Sequence, residues 1–388
     1  SPIRQAQVTL DLRNATVTVP ELSLGKARGE AGSVEVSLRQ RSQTDVTVDN
    51  VAVTLPGWNV AGSGALRLEP LRPQRVTLTR LRSPLGDLTG EVTMVRDVWT
   101  GRVDIGSFDA RPLLQGGGSG SSDATALPDF ALQIAARRLQ LGETPFSNLA
   151  GSVDRRNDQW RTARLRAEIE GSTVSLDLTN GAGGGTLNVR GSDAGWVIRS
   201  VTDSDHGVRG GRLALTAQLP PSTNRLAATG ELKIRDFTMW GAPTIARIVS
   251  LASFSGIANA LSGRGIPVSR IVAPFSLRNG VVTLDSARLV AADIGARVDG
   301  RIDLDRQVFD LNGTVAPAYT INRLLGRIPI LGNLMSGSRS DALIAASFTI
   351  TGPMGQPRVS VNPLTALVPG VIRDLFGGFD TDPASRTE

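Results

Sequence analysis

The feature that most constrains the fold of this chain is a two-residue alternation of apolar and polar side chains. It runs through VTLDLRNATVTV at residues 8–19, DFALQIAA at 129–136 and STVSLDL at 172–178. Successive side chains of a β-strand point to opposite sides of the sheet, so this pattern is typical of strands with one apolar and one wetted face. We therefore predict a mainly β protein.

A short unit recurs along the chain: glycine, any residue, an apolar residue, any residue, an apolar residue. Glycine adopts backbone conformations closed to other residues, so we interpret each copy as a turn followed by a strand. The copies are irregularly spaced, which argues against a strict solenoid. They are GSVEV (32–36), GALRL (64–68), GEVTM (90–94), GRVDI (101–105), GTLNV (185–189), GRLAL (211–215), GELKI (230–234) and GRIDL (300–304).

These patterns predict roughly two dozen strands, whereas a usual sheet has about 4–6. Helical sequence is too scarce to cover so many apolar faces. The sheet must then close on itself as a sandwich or barrel, or curl into a trough whose apolar interior meets something else. At about 4.8 Å per strand, a continuous trough would be on the order of 100 Å long and would suit acyl chains.

Three apolar segments do not alternate, and we predict short helical pieces there: 244–263, 321–337 and 362–379. Glycines and prolines divide the last two into pieces too short to span a bilayer. Such segments most often plug the exposed end of a sheet. The alternative is that they cap the trough and touch a membrane, with Arg323, Arg327 and Arg373 near phosphate groups.

Composition argues against most catalytic chemistry. The chain has no cysteine and a single histidine, His206, in a polar, glycine-rich stretch, so thiolate and multi-histidine metal sites have no ligands. No nucleotide-binding loop is present, since GAGGG at 181–185 lies between two strand patterns. The 42 basic and 36 acidic residues are interspersed and aromatic residues are 4% of the chain, which disfavours nucleic acid binding. We predict a non-enzymatic protein with no cofactor, metal or nucleic acid.

The region from about Gly230 to Phe376 resembles the C-terminal region of the AsmA-like proteins, in the branch typified by YhdP and related to TamB. The resemblance is carried by long, ordered strings. They are DFTMWGAPTIARIVSLASFSGIANALSGRGIPVSRI (236–271), NGVVTLDSARLV (279–290), IGARVDGRIDLDRQVFDLNGTVAPAYTINRLLGRIPILGNLMSG (294–337) and AASFTITGPMGQPRVSVNPLTALVPGVIRDLF (345–376). Residues before 230 match only as generic strand repeats.

The resemblance implies a long, curved antiparallel β-groove with an apolar interior and a few short amphipathic helices near the C-terminal end. It also implies phospholipid transport between the inner and outer membranes, in the periplasm of a Gram-negative bacterium. The family is anchored in the inner membrane by an N-terminal helix that this sequence does not contain. The expected partners are phospholipid acyl chains and one or both membranes, with protein partners in the envelope unknown.

Five regions follow from these patterns. We predict β-groove repeats at 1–114 and 130–235, separated by a Gly/Ser-rich linker or loop at 115–129. The AsmA-like C-terminal region with its helices then covers 236–379, and a disordered tail covers 380–388.

The candidate site residues fall into two sets. Groove-lining residues are predicted on the apolar phase of the strands: Val34, Val36, Leu66, Leu68, Val103, Ile105, Leu176, Leu213, Leu215, Leu232, Ile234, Leu284, Ile302 and Leu304. Residues that contact a membrane or cap the groove are predicted in the helical segments: Ile248, Leu251, Phe254, Ile328, Ile330, Leu331, Leu367, Leu375 and Phe376. The alternatives are an outer-membrane β-barrel and a purely structural or adhesive β protein without a ligand.

Overall fold

The computed structural model describes residues 5–19, 24–112, 128–201, 207–221, 227–240, 265–291, 294–317 and 345–365. These residues are mainly β, with a single short α-helix among them. One large, mostly antiparallel sheet contains 20 strands, and 2 further strands form a small sheet of their own. The prediction of a mainly β protein built on a large, mostly antiparallel sheet is confirmed.

The chain forms two compact units, and the first contains the strands β1 to β13. Their bounds are β1 Gln5–Asp11, β2 Val17–Val19, β3 Leu24–Lys26, β4 Ser33–Gln40, β5 Asp45–Leu55, β6 Trp58–Leu68, β7 Leu71–Ser83, β8 Gly86–Val95, β9 Val98–Asp109, β10 Phe130–Gln140, β11 Phe146–Arg156, β12 Gln159–Ile169 and β13 Ser172–Gly181.

The second unit contains the strands β14 to β22. Their bounds are β14 Gly184–Gly191, β15 Gly207–Leu219, β16 Ala227–Trp240, β17 Ile266–Arg278, β18 Val281–Ala291, β19 Ile294–Asp303, β20 Val308–Pro317, β21 Ala345–Pro353 and β22 Arg358–Thr365. The helix α1, Ala194–Val201, lies in the chain between β14 and β15.

Strand pairing follows chain order in each unit. In the first unit β1 pairs with β4, and the pairing then continues strand by strand to β13. All of these pairs are antiparallel except β9 with β10, which is parallel. The predicted linker at 115–129 therefore joins two neighbouring strands of one sheet, although residues 113–127 lie outside the described ranges.

In the second unit every neighbouring pair from β14 to β22 is antiparallel. The chain reaches one end of these strands at Gly191, Trp240, Ala291, Pro317 and Thr365. We call this the loop end, because long connections leave the sheet there. At the opposite end, the hairpin end, the strands β15, β17, β19 and β21 finish.

β-Bulges keep the apolar residues on one face where the sequence interrupts their alternation. In β5, Val48 and Val51 are three residues apart, a spacing that puts two side chains of a regular strand on opposite faces. A shift in pairing between them places Val48 opposite Gly64 and Val51 opposite Gly62, which share one face of β6. The same device operates in β7 between Leu78 and Leu81 and in β18 between Leu284 and Ala287.

Several glycines of the recurring unit lie inside strands, so their interpretation as turn residues is wrong. They are Gly64, Gly90, Gly101, Gly230 and Gly300. A Cβ atom at Gly64 or Gly90 would come within 2.7 Å of a carbonyl oxygen of the next strand. Glycine is required at these positions because the neighbouring backbone occupies the space of a side chain.

The small hairpin of β2 and β3 is held by a buried lysine. Lys26 is almost fully buried, and its Nζ atom donates hydrogen bonds to the carbonyl oxygens of Ala15 at 2.9 Å and Ala27 at 3.0 Å. Its aliphatic chain crosses directly over Gly32, where a Cβ atom would meet Lys26 Cε at 2.7 Å. Nearby, Leu55 and Trp58 form a small apolar cluster.

The predicted helical segments are mostly outside the described residues. This applies to all of 244–263 and 321–337 and to residues 366–379, as well as to His206 and the predicted tail at 380–388. For residues 362–365 the prediction is wrong, because they belong to β22. Antiparallel pairing with β21 outweighs the apolar, proline-containing sequence there.

The glycine positions can be tested at Gly230, where a Cβ atom would collide with Thr216 and Ala217 of β15. We expect Gly230→Val to lower the free energy of unfolding by roughly 2 kcal/mol, because the added side chain forces the strands apart. Urea denaturation followed by circular dichroism measures the loss. The matched control is Gly183→Val, since a Cβ atom at Gly183 meets nothing within 4 Å. Equal effects of the two substitutions would contradict this steric explanation.

Candidate functional site

The strand register aligns apolar side chains across the whole first unit. Val34 of β4 lies opposite Leu10 of β1 and Val53 of β5, and Val53 lies opposite Val60 of β6. Residues opposite each other in paired strands share one face of the sheet. We call this surface the apolar face. Further members in strand order are Leu78, Val76, Val92, Val103, Ile105, Ile134, Val153, Leu165, Leu176 and Leu178.

The second unit has an equivalent apolar face. Leu215 of β15 lies opposite Val189 of β14 and Leu232 of β16, and the alignment continues without a polar residue to Ala273 of β17. Further members are Leu213, Ile234, Ile271, Leu284, Leu289, Val298, Ile302, Leu311, Val315, Phe348, Ile350, Val359 and Val361.

The structure places the predicted groove-lining residues on these faces. In the first unit they are Val34, Val36, Leu66, Leu68, Val103, Ile105 and Leu176. In the second unit they are Leu213, Leu215, Leu232, Ile234, Leu284 and Ile302. Leu304 differs, because it follows β19 and lies in the turn that leads to β20. Binding by any of them stays a prediction.

The predicted cap and membrane residues are outside the described part of the chain. They are Ile248, Leu251, Phe254, Ile328, Ile330, Leu331, Leu367, Leu375 and Phe376. The described residues fix only where the chain leaves the sheet. In the second unit, residues 241–264, 318–344 and 366–388 all follow strands that finish at the loop end.

Exposure of apolar side chains differs between the two ends of each unit. In the first unit Ile169 at the end of β12 is fully buried, whereas Leu71 at the start of β7 is 71% exposed. In the second unit Val268 near the loop end is 2% exposed, whereas Leu304 at the hairpin end is 49% exposed. Most of the apolar face between the ends is half-buried. Large apolar side chains are therefore open to contact at the Leu71 end of the first unit, and Leu304 is open to contact at the hairpin end of the second.

The opposite face of the sheet is polar and rich in ion pairs. Arg39 pairs with Asp49 at 3.0 Å, and Arg102 pairs with Asp104 at 2.7 Å. On β19 to β22, an open hollow of about 530 Å³ is lined mainly by hydroxyl, amide and charged side chains, including Asn312, Ser347 and Ser360. Its two charged groups, Arg297 and Asp299, pair with each other at 3.1 Å.

Among the residues that the structure describes, Arg102 and Asp109 have shifted pKa values, and both belong to ion pairs with partners two residues away. A hydrogen bond to Asp104 raises the pKa of Arg102. The pKa of Asp109 is lowered chiefly by the hydrogen bond from the side chain of Arg111, against the opposing effect of burial. In both pairs the neighbour favours the charged form, as in an ordinary stabilising ion pair. Neither shift tunes a group toward acid–base catalysis near neutral pH.

The helix α1 is an element that the alternation pattern does not reveal. The Arg199 guanidinium lies 4.2 Å from the centre of the Trp196 ring, and the backbone N–H of Thr144 donates to the Arg199 carbonyl oxygen at 3.2 Å. Its apolar residues Ala194 and Val197 are buried. The sequence does contain one signal for this helix: Asp193 is a favoured N-cap residue and lies directly before an apolar run.

The described residues contain no group of acidic or histidine side chains that could hold a metal ion. No helix within the described ranges is long and apolar enough to cross a bilayer. No family model matches the chain, and no curated protein or solved structure is detectably similar to it.

The difference between the two ends predicts unequal effects of polar substitutions in the second unit. Ile266→Ser at the loop end removes a side chain that is 2% exposed, so we expect a loss of about 3 kcal/mol in the free energy of unfolding. Leu304→Ser at the exposed turn serves as the matched control, with an expected loss within about 0.5 kcal/mol. Urea midpoints of the two variants measure the difference. Comparable losses would show that the exposure difference has no energetic counterpart.

Proposed function

We propose that this chain is a non-enzymatic lipid-binding conduit whose apolar faces hold the acyl chains of phospholipids. The observation that carries the proposal is the unbroken alignment of apolar side chains from strand to strand within each unit. Each CH₂ group removed from water contributes about 0.8 kcal/mol, so a long aliphatic surface favours acyl chains over polar ligands.

The partial exposure of the apolar face supports binding of a ligand there. In a closed sandwich the inner faces of two sheets interdigitate and are fully buried. Here Val103, Leu215 and Ile302 are only half-buried. Apolar surface of this extent on a soluble protein marks a site of contact with another molecule.

The glycines inside strands support a curved, groove-like sheet. Gly64, Gly90 and Gly230 belong to the same face as the apolar residues, and the backbone of a neighbouring strand fills the space beside them. Glycine kinks of this kind introduce curvature into a sheet. We infer that the sheet bends toward its apolar face in each unit, which forms a trough that an acyl chain can enter.

The resemblance of residues 230–376 to the AsmA-like proteins supplies the biological setting of the proposal. On that basis the protein works in the periplasm of a Gram-negative bacterium, anchored in the inner membrane, and moves phospholipid between the inner and outer membranes. Its partners are then acyl chains and one or both membranes. The segments beyond the described residues cap the groove or contact a membrane.

Site-specific photo-crosslinking in cells tests the proposal. A benzophenone side chain at Val103, Leu215 or Ile302 should capture phospholipid, because these positions lie on the apolar face. The matched controls Arg102, Arg164 and Asp177 lie on the polar face of the first unit, and we expect little capture there. The captured molecule is identified by mass spectrometry after release.

Two results would overturn the proposal. The first is capture of phospholipid at the polar-face positions only. The second is capture of protein, with no lipid, at all three apolar-face positions, which would indicate a structural β protein whose apolar face is covered by another polypeptide.

A further inference from the structure

The polar face of the second unit carries a band of basic side chains that crosses the strands from β14 to β19. The strand register brings these residues together although they are far apart in sequence. We call the band the basic belt. Its members are Arg190, Arg212, Lys233, Arg235, Arg270, Arg288 and Arg297.

Arginines lie directly opposite each other in this belt. Arg235 of β16 is flanked by Arg212 of β15 on one side and Arg270 of β17 on the other. Arg288 of β18 lies opposite Arg297 of β19. Directly opposed side chains have Cβ atoms about 4.5–5.5 Å apart, and like charges there are destabilising. An anion that bridges the opposed side chains offsets this repulsion and stabilises the sheet.

In the described part of the chain, carboxylates form ion pairs with some members of the belt. Asp236 pairs with Arg212, Glu231 with Lys233 at 2.6 Å, and Asp299 with Arg297 at 3.1 Å. Three further members, Arg190, Arg235 and Arg288, form no ion pair with any residue that the structure describes. The Nε atom of Arg288 is also buried without a hydrogen-bond partner.

The first unit arranges its charges differently. On its polar face Arg164 lies opposite Asp177 and Arg102 lies opposite Glu91. Other arginines there, such as Arg80 and Arg166, lie opposite uncharged residues. Where two arginines are opposed, Arg67 and Arg72, each has its own carboxylate: Asp45 at 3.6 Å and Asp97 at 2.7 Å. Among the described residues, a row of arginines opposed across three strands, such as Arg212, Arg235 and Arg270, is therefore a feature of the second unit.

We propose that the basic belt docks the second unit on an anionic lipid-bilayer surface. The belt crosses about five strand spacings, or roughly 24 Å, which suits an array of headgroup phosphates better than a single small anion. Basic residues next to an anionic bilayer attract it through its negative surface potential. This proposal goes beyond acyl-chain binding, because the belt lies on the face opposite to the apolar one.

The surroundings of the belt favour a bilayer over a nucleic acid. Arg212, Arg235 and Arg270 form one row across three adjacent strands near the loop end, as a flat array of headgroup phosphates requires. A nucleic acid binder would offer aromatic rings for base stacking, whereas the uncharged residues in line with the belt are Ala214, Val272, Val290 and Gly295.

Vesicle co-sedimentation of the whole protein tests the proposal. The probe is a vesicle of phosphatidylcholine with or without phosphatidylglycerol. The belt variant Arg190→Gln/Arg235→Gln/Arg288→Gln breaks no ion pair within the described ranges. We expect the wild-type protein to bind the anionic vesicles at low salt and to dissociate as salt rises.

Each arginine should contribute about fivefold in affinity, so the belt variant should bind on the order of a hundredfold more weakly. Its thermal midpoint should not fall, because like-charge repulsion is relieved.

The matched control is Arg80→Gln/Arg164→Gln/Arg166→Gln, which removes the same charge from the polar face of the first unit and should change binding little. Three results would overturn the docking proposal: equal losses in both variants, equal binding to vesicles without phosphatidylglycerol, or displacement from the vesicles by a single-stranded DNA oligonucleotide.

A third variant, Leu215→Glu, separates the two proposals. It should lose lipid capture at the apolar face and keep vesicle binding.

Discussion

In-register backbone pairing is the constraint on which the rest of this structure depends. Because side chains alternate along a strand, a slip of one residue would move every apolar side chain of that strand to the other face. The register instead aligns Val189, Leu215 and Leu232 across three strands, and comparable alignments run through both units. Bulges restore the alignment where the sequence breaks it. One apolar and one polar face are thus maintained over many strands, and both proposed functions rest on this separation.

Much of this architecture was predictable from the sequence, and the exceptions have physical causes. Alternation identifies the strands and the apolar phase because it depends on neighbouring residues only. It assigns Gly230 to a turn, since the clash that requires glycine comes from β15, which is distant in sequence. The basic belt cannot be predicted from the sequence for the same reason, because it depends on strand pairing. In the sequence, Arg235 and Arg270 are isolated charges on the polar phase of two strands. Strand pairing places them opposite each other.

In the two proposals, the apolar face binds acyl chains and the polar face of the second unit binds a bilayer surface. An acyl chain needs a continuous apolar surface that is shielded from water on one side, which the half-buried face can provide. Transfer also needs the protein to approach a bilayer, and unneutralised arginines such as Arg235 supply attraction to anionic headgroups. Since the faces are opposite sides of one sheet, substitutions can change one property without the other. No reacting group is needed for either, and the described residues contain no metal-binding cluster.

The lipid content of the folded protein is the most direct measure of the central claim. Native mass spectrometry of protein purified from cells without detergent reports it, and a Leu215→Glu/Leu232→Glu variant controls for adventitious lipid, because both substitutions put carboxylates on the apolar face. The account predicts phospholipid adducts on the wild-type protein and their loss from a variant that keeps its circular dichroism spectrum. A folded wild-type protein without bound lipid, or equal adducts on both proteins, would contradict the account.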